Sequence, residues 1–369
     1  MESLELEKGK INKTISYLKM LLALLLFIFA IDLLTVAMSH LNNEVAENIL
    51  FATRNPFVSL FIGLLMTALI QSSSTVTASV VAVVASGHLS LEQAVPMVMG
   101  ANIGTTLTST LVSFSYIMNR KEFKRALSAG ILHDLFNIFT VIILLPLEVY
   151  FGFLSKLSIS IASLFISDES YSGPVVYNKV FTRPITEWIS STIGIPFLTM
   201  ILSVFLVFAA IKLLSSSVYK AFVLDNFQNI NNLIFKNPFM ACVYGTFFTA
   251  AVQSSTVTTS LIVPLVANKK VSLKKAFPFI IGANIGTTIT AAIAAIYKTE
   301  AAIALAIVHF LFNLIGAMIF LPFPTIREIP VRLSVYMGEK SVKSRFLGFA
   351  YVLLTFFIIP FLLIYFSND

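Results

Sequence analysis

The chain has 369 residues, of which 57% are hydrophobic and only 12% charged, and its formal net charge is +7. Soluble domains carry about twice that share of charged residues, so the composition excludes an ordinary soluble protein and requires lipid as solvent. The single cysteine, Cys242, excludes an intramolecular disulfide and a cysteine-based metal site. The basic residues fall in loops beside apolar segments, which is a membrane pattern, and we predict no nucleic-acid partner.

Seven apolar segments are each near the length of about 20 residues that a helix needs to cross a bilayer. The first is too long for a cleavable signal and is predicted to be an anchor. The chain is therefore predicted to be an all-α, multi-pass protein of the cell membrane. In chain order the predicted spans are 17–38, 91–118, 124–147, 192–217, 271–297, 301–322 and 347–367.

Two further apolar stretches, 57–86 and 239–267, are each interrupted near the middle by a polar run. The apolar arms on either side are too short to cross a bilayer alone. We predict two re-entrant helical hairpins, whose non-helical tips must lie inside protein or beside a water-filled cavity. The two polar runs are Gln71-Ser72-Ser73-Ser74-Thr75 and Gln253-Ser254-Ser255-Thr256.

The second half of the sequence repeats the first. The polar runs align at an offset of 182, and a Gly-Ala-Asn-Ile-Gly-Thr-Thr run beginning at Gly100 recurs unchanged at Gly282. Two further pairs match at an offset of 176, namely His133 with His309 and Asn137 with Asn313. Because glycine permits close approach or unwinding, each glycine-containing run is predicted to break its transmembrane helix.

The basic segments indicate that the two repeats have inverted topology. The N-terminal tail, 120–125, 269–275 and 327–345 all reach the cytoplasmic side only under that arrangement. Inverted repeats with broken helices are the architecture of secondary transporters. The predicted organisation is a cytoplasmic tail over 1–16, repeat 1 over 17–147, an extracellular connecting loop over 148–191, repeat 2 over 192–322, and a basic cytoplasmic loop with a C-terminal transmembrane helix over 323–369.

The polar runs have the chemistry to bind small ions. A helix that begins at a break offers unpaired backbone N–H groups and the positive end of its dipole, which suit an anion. Carbonyls at the end of the preceding half-helix, with hydroxyl and amide oxygens, suit sodium. Taken singly, a Ser/Thr-rich stretch or a Gly-x-x-x-Gly run is more often packing. The inverted duplication of both is what favours transport.

Four ionisable residues in the predicted spans have no assigned role. Asp32 and Lys212 are functional candidates by default, or they could pair with each other structurally. For His133 and His309 we favour hydrogen-bonded packing that supports the broken helices over a proton relay.

The paired Gln-Ser-Ser runs, each followed by a Gly-Ala-Asn-Ile-Gly-Thr-Thr run, resemble the type II sodium-dependent inorganic phosphate cotransporters, in a compact bacterial form. The resemblance covers residues 17–147 and 192–322. It implies symport of inorganic phosphate with sodium by alternating access, with sodium as the coupling ion, no other cofactor and no enzymatic activity. Thr256 stands where the family usually has a third serine, which retains the hydroxyl and adds a methyl group.

The resemblance also implies site residues, carried over by motif position. The implied phosphate-binding residues are Ser72, Ser73, Ser74, Ser254, Ser255 and Thr256. The implied sodium-binding residues are Gln71, Thr77, Asn102, Thr105, Gln253, Thr259, Asn284 and Thr287. The expected partners are phosphate, sodium and the lipid bilayer, and a homodimer is left open.

Three alternative functions remain at this stage. The nearest is a sodium-coupled carrier of another small anion, such as sulfate or a dicarboxylate. A membrane enzyme is disfavoured because the sequence has no repeated carboxylate pair, metal-ligand cluster or nucleophile–base constellation. A passive channel would show fluxes that are indifferent to sodium.

Overall fold

The computed structural model describes residues 2–41, 43–164, 181–218, 234–296 and 299–367. Within these ranges the regular structure is helical. The helices are α1 Glu2–Ser39, α2 Asn43–Ala52, α3 Pro56–Ile70, α4 Ser73–Ala85, α5 Leu91–Ser113, α6 Arg120–Phe151, α7 Phe153–Ala162, α8 Arg183–Ile193, α9 Pro196–Val218, α10 Pro238–Val252, α11 Ser255–Ala267, α12 Leu273–Ala295, α13 Glu300–Phe320, α14 Pro324–Lys343, α15 Arg345–Leu353 and α16 Ile359–Ser367. A π-helical turn, Leu354–Ile358, joins α15 to α16.

Six helical segments within the described ranges are long and apolar enough to cross a membrane, which confirms a helical membrane protein. They are Leu18–Ser39, Arg120–Phe151, Pro196–Leu214, Leu273–Ala295, Glu300–Phe320 and Phe346–Phe366. The predicted span 91–118 forms α5, which is long enough but is not among the six. Most residues of α5 are buried inside the protein, so its polar side chains face other helices rather than lipid.

The helices of the two sequence repeats match in length. Helices α3 and α10 each have 15 residues, α4 and α11 have 13, and α5 and α12 have 23. Helix α3 packs against α5, and α10 packs against α12 in the same way. The duplication is thus visible in the fold, while the inverted orientation of the two repeats in a bilayer stays a prediction.

The Gly-Ala-Asn-Ile-Gly-Thr-Thr runs do not break their helices. Helices α5 and α12 continue through both runs, so the predicted broken transmembrane helix is wrong at this place. The glycines serve close packing instead. A Cβ atom built on Gly100 would lie 1.8 Å from the carbonyl oxygen of Leu60, and one on Gly282 would lie 1.9 Å from that of Cys242. Small residues let helix backbones approach closely in membranes.

The segments predicted as loops are partly helical. The connecting segment 148–191 contains the end of α6, all of α7 and most of α8, with residues 165–180 outside the described ranges. The predicted N-terminal tail continues α1. The predicted basic loop after residue 322 is the 20-residue helix α14. Sequence periodicity missed these helices because each combines charged and apolar residues.

Helix α8 is held to α1 by a buried ion pair. Arg183 Nη2 lies 3.2 Å from Asp32 Oδ1. The hydroxyl groups of Thr182 and Thr186 donate to Asp32 Oδ2 at 3.0 and 2.8 Å. Asp32 therefore pairs with Arg183, whereas Lys212 is exposed and lies over the Phe208 ring. A buried carboxylate needs such partners to offset its lost hydration.

The opposite face of α8 is apolar and exposed. Ile185 and Trp188 project from it, and the exposed apolar surface continues through Ile195 to Leu198 on α9. Helix α9 is membrane-spanning by length and composition. A helix whose polar face is buried and whose apolar face is exposed fits the membrane interface, where tryptophan is enriched.

We expect brominated lipids to quench the fluorescence of Trp188. It is the only tryptophan in the chain, so its emission reports on α8 without any mutation. In proteoliposomes, brominated lipids should quench its fluorescence, and bromine near the glycerol end of the acyl chain should quench more than bromine near the terminal methyl. Stronger quenching by aqueous iodide than by either lipid would place α8 in water instead.

Candidate functional site

The candidate site is built from two helix breaks, each two residues long. The first break, Gln71–Ser72, separates α3 from α4, and the second break, Gln253–Ser254, separates α10 from α11. Gln71 and Gln253 adopt left-handed backbone conformations, with φ of 57° and 55°. The N–H group of each glutamine donates to a threonine carbonyl one turn earlier. The shared Gln-Ser-Ser sequence thus has the same local structure in both repeats.

The serine after each glutamine caps the following helix. Ser72 Oγ accepts a hydrogen bond from Thr75 N at 3.2 Å, and Ser254 Oγ accepts one from Val257 N at 3.3 Å. An N-cap satisfies only one or two of the first four N–H groups of a helix. The remaining N–H groups of α4 and α11 have no intrahelical acceptor. Each break therefore presents backbone donors at the positive end of a helix dipole.

The two breaks are adjacent in space although 182 residues separate them in sequence. Ser74 Oγ donates to the Gln253 carbonyl oxygen at 3.3 Å. A second contact between the repeats joins α5 to α11, where Ser109 Oγ lies 3.0 Å from Thr259 Oγ1. Helix α4 packs against α12 and α13, and α11 packs against α5 and α6. Each repeat thus inserts its second short helix between the helices of the other repeat.

The serine residues at the breaks are enclosed by protein. Ser73, Ser74 and Ser255 are each less than 5% exposed. The polar runs contain no lysine or arginine. Positive potential at the breaks therefore comes from oriented backbone groups, which cost no reorganisation because the helices fix them.

A layer of amides links the two repeats. Asn284 Nδ2 donates to Asn137 Oδ1 at 2.9 Å, and His133 Nε2 lies 2.8 Å from Asn284 Oδ1. In the other copy, Asn313 Nδ2 donates to Asn102 Oδ1 at 3.3 Å. His133 therefore packs through a hydrogen bond, whereas neither ring nitrogen of buried His309 finds a partner among the described residues.

The threonines implied as sodium ligands differ in their bonding. Thr105 and Thr287 donate to carbonyls of their own helices. Thr259 donates to the Ser255 carbonyl and contacts Ser109. The buried hydroxyl of Thr77 makes no hydrogen bond with the described part of the chain. The repeat counterpart of Ser109 is Ala291, so the contact made by Thr259 has no equivalent for Thr77.

Sequence reasoning assigned no role to Asp134, which is fully buried on α6 next to His133. Its Oδ2 atom accepts hydrogen bonds from Thr110 Oγ1 at 3.0 Å and from the Tyr351 hydroxyl at 2.8 Å. The repeat counterparts of Asp134 and Thr110 are Phe310 and Ala292, so this polar cluster exists in one copy only. The signal was present in the sequence as an unmatched carboxylate inside a predicted span.

A family model and individual relatives both link this chain to sodium-dependent phosphate transport proteins. The family described as Na+/Pi-cotransporter matches residues 26–162 and 205–330. The chain is 30% identical to "Sodium-dependent phosphate transport protein 2A" of Rattus norvegicus, over 91% of this chain and 65% of the relative. It is 31% identical to the 2A protein of Oryctolagus cuniculus, over 91% of this chain and 65% of the relative. It is 29% identical to the 2B protein of Pongo abelii, over 96% of this chain and 66% of the relative. The chain thus spans slightly less than two thirds of these relatives. No solved structure matches it significantly.

Proposed function

This chain belongs to the Na+/Pi-cotransporter family, and we propose that it carries inorganic phosphate across the cell membrane by symport with sodium. The observation that carries the proposal is the adjacency of the two breaks, at which Ser74 contacts the Gln253 carbonyl. In the proposal, the N-termini of α4 and α11, one from each repeat, would both face one bound anion. A compact tetrahedral anion with several acceptor oxygens suits such a set of N–H and hydroxyl donors.

The proposed phosphate ligands are the first residues of α4 and α11 together with their caps. Backbone N–H groups there are supplemented by hydroxyl donors, because a phosphate oxygen can accept more than one hydrogen bond. The full set is Ser72, Ser73, Ser74, Ser254, Ser255 and Thr256. The relatives' printed names specify sodium-dependent phosphate transport, which supports phosphate over other anions as the substrate.

Sodium would bind on the other side of each break. The last carbonyls of α3 and α10 carry the negative ends of their dipoles. Amide and hydroxyl oxygens complete the hard oxygen ligands that sodium prefers. Thr77, whose hydroxyl has no protein partner among the described residues, supports this assignment. The other proposed sodium-binding residues are Gln71, Asn102, Thr105, Gln253, Thr259, Asn284 and Thr287.

Alternating access would follow from inverted repeats. The matched lengths of α3–α5 and α10–α12, and the interlocked packing of α4 and α11, support two equivalent units around one site. Exchange of conformation between the units would open the site first to one side and then to the other. Sodium would neutralise the charge of phosphate, since no cationic side chain occurs in the polar runs.

The direct test is uptake of radiolabelled phosphate into proteoliposomes. We expect an inward sodium gradient to drive accumulation and an equal potassium gradient to fail. Arsenate should compete, and sulfate and succinate should not. Equal uptake with both gradients would indicate a passive channel, and competition by sulfate or succinate would indicate a carrier of those anions. Either result would contradict sodium–phosphate symport.

Substitutions at Ser72 should separate the contribution of its side chain to uptake from the contribution of the backbone. Ser72→Ala removes a cap worth about 1 kcal/mol, so we expect reduced but measurable uptake. Ser72→Pro should abolish uptake, because proline fixes φ near −65° whereas Ser72 has φ of −148°. Radiolabelled uptake per inserted protein is the measurement. If both variants retained near-normal uptake, the anion would not be held at the first break.

A further inference from the structure

A cavity with basic residues in its lining lies at the end of α11, away from the breaks. It has a volume of about 260 Å³ and is lined by residues of α6, the N-terminus of α12 and α14. Three of its lining residues are cations, Lys124, Arg125 and Lys269, and none is acidic. We call this cavity the basic pocket. Its remaining walls include the apolar side chains of Val271 and Val335.

Two of the three cations have no acidic partner in the part of the chain that the structure describes. Lys124 Nζ pairs with Glu339 Oε1 at 2.6 Å. Arg125 donates through Nε to the Ala267 carbonyl at 2.6 Å, which fixes its side chain against the end of α11. Among the described residues, neither Arg125 nor Lys269 forms an ion pair. The basic pocket therefore has a positive potential that an anion would neutralise.

The equivalent backbone position in repeat 1 carries a glycine. Lys269 has a left-handed backbone with φ of 59°, and its repeat counterpart is Gly87, with φ of 81°. Lysine is disfavoured in this conformation, and glycine is not. Because Lys269 adopts this strained backbone conformation where the other repeat has glycine, its side chain is indicated to have a role.

The caps of the helices that follow these two positions also differ between the repeats. At the start of α5, Ser90 forms a complete capping box with Gln93. At the start of α12, the Ser272 side chain makes no capping hydrogen bond, and Lys275 stands at the place of Gln93. The N-terminus of α12 thus keeps backbone donors beside the cations of the basic pocket, where a phosphate group is favoured.

Helix α14, which contributes Val335 to the basic pocket, exposes both apolar and charged side chains. Ile329, Leu333 and Tyr336 are exposed on α14, and the charged Arg332 and Lys340 are exposed beside them. Exposed arginine and lysine beside apolar side chains suit the boundary between headgroups and acyl chains, because their long stems can lie on apolar surface while the charge stays in water. Basic pockets between membrane helices bind anionic headgroups.

We propose that the basic pocket binds the phosphate group of an anionic phospholipid. Arg125, Lys269 and the N-terminal amides of α12 would hold the headgroup. The apolar wall at Val271 and Val335 favours a lipid over free phosphate, because an acyl chain would cover it. The proposal depends on the membrane location of the protein and is independent of the proposed transport activity.

The test uses the purified full chain in detergent and measures its thermal unfolding. Addition of phosphatidylglycerol should raise the Tm more than the same amount of phosphatidylcholine. Lys269→Gly and Arg125→Gln should each lose most of that increment. Lys269→Gly relieves its backbone, so it should fold at least as well as the parent chain. The matched control is Lys156→Gln, which removes an exposed cation near the opposite end of α6 and should keep the increment.

Two results would overturn the proposal. One is an equal increase in Tm with phosphatidylglycerol for the parent chain and all three variants, which would mean that the lipid binds elsewhere. The other is an increment from inorganic phosphate that Lys269→Gly removes, which would identify free phosphate as the ligand. Stabilisation by inorganic phosphate that is the same in the parent chain and Lys269→Gly is the expected result, because the proposed transport site is intact in both.

Discussion

Gln71→Gly is expected to abolish sodium-driven phosphate uptake while leaving the protein folded. Gln71 has φ of 57°, a conformation that glycine adopts without strain. The substitution therefore removes the amide side chain and preserves the break. Hydrogen bonds to charged groups contribute about 1.5–3 kcal/mol each, so loss of this amide should reduce uptake by roughly one to two orders of magnitude. Gln253→Gly, at the second break, should have the same effect.

A comparison with alanine makes this prediction specific. Alanine also lacks the amide, and like the native glutamine it is strained in the left-handed conformation by about 1–2 kcal/mol. Gln71→Ala should therefore lose uptake to the same extent as Gln71→Gly and unfold at a lower temperature than Gln71→Gly. If both variants kept uptake, the break would matter only for its backbone shape, and glutamine would not belong to the ion sites.

Gly100→Ala is expected to have the largest effect on stability. A Cβ atom on Gly100 would meet the carbonyl oxygen of Leu60 at 1.8 Å and the nitrogen of Leu64 at 3.0 Å. Both are backbone atoms of α3, so no side-chain rotation relieves the clash, and α3 must move away from α5. Overpacking typically costs about 1–3 kcal/mol, and a backbone clash belongs at the upper end. The displaced α3 carries Gln71 with it, so uptake should fall as well.

Gly348→Ala provides a matched control for Gly100→Ala. Its nearest contact would be the Phe114 ring edge at 3.3 Å, which a small movement of the ring relieves. Thermal unfolding in detergent should show a clear decrease in Tm for Gly100→Ala and Gly282→Ala and little change for Gly348→Ala. Equal stability of all three variants would mean that α3 and α5 are not in close backbone contact.

The breaks were predictable from sequence because their signals are local. The predicted stretch 57–86 agrees within one residue at each end with α3 and α4, which run from Pro56 to Ala85. The stretch 239–267 compares with Pro238 to Ala267. A polar run between two short apolar arms, preceded by proline and repeated in the second half, is sufficient to locate each break. The backbone angles at Gln71 and Gln253 match where the two repeats share a threonine one turn earlier and two serines directly after the glutamine.

Features that depend on distant residues were not predictable. Continuity of α5 through Gly100 and Gly104 depends on α3, whose backbone fills the space beside both glycines. Glycine alone is compatible with unwinding or with close packing, and only the neighbouring helix decides. Asp32 pairs with Arg183, 151 positions along the chain, and Asp134 with Tyr351, 217 positions along. Neither partner has a repeat relation that would have indicated it.

The central claim is that one phosphate binds between the two breaks. Arsenate has the geometry of phosphate, and arsenic scatters anomalously, so a crystal of the full chain grown with sodium and arsenate would locate the anion directly. We expect a single anomalous peak between the N-termini of α4 and α11, within hydrogen-bonding distance of Ser73 and Ser255. A peak elsewhere in the protein, or a peak at one helix N-terminus with the other break turned away, would contradict it.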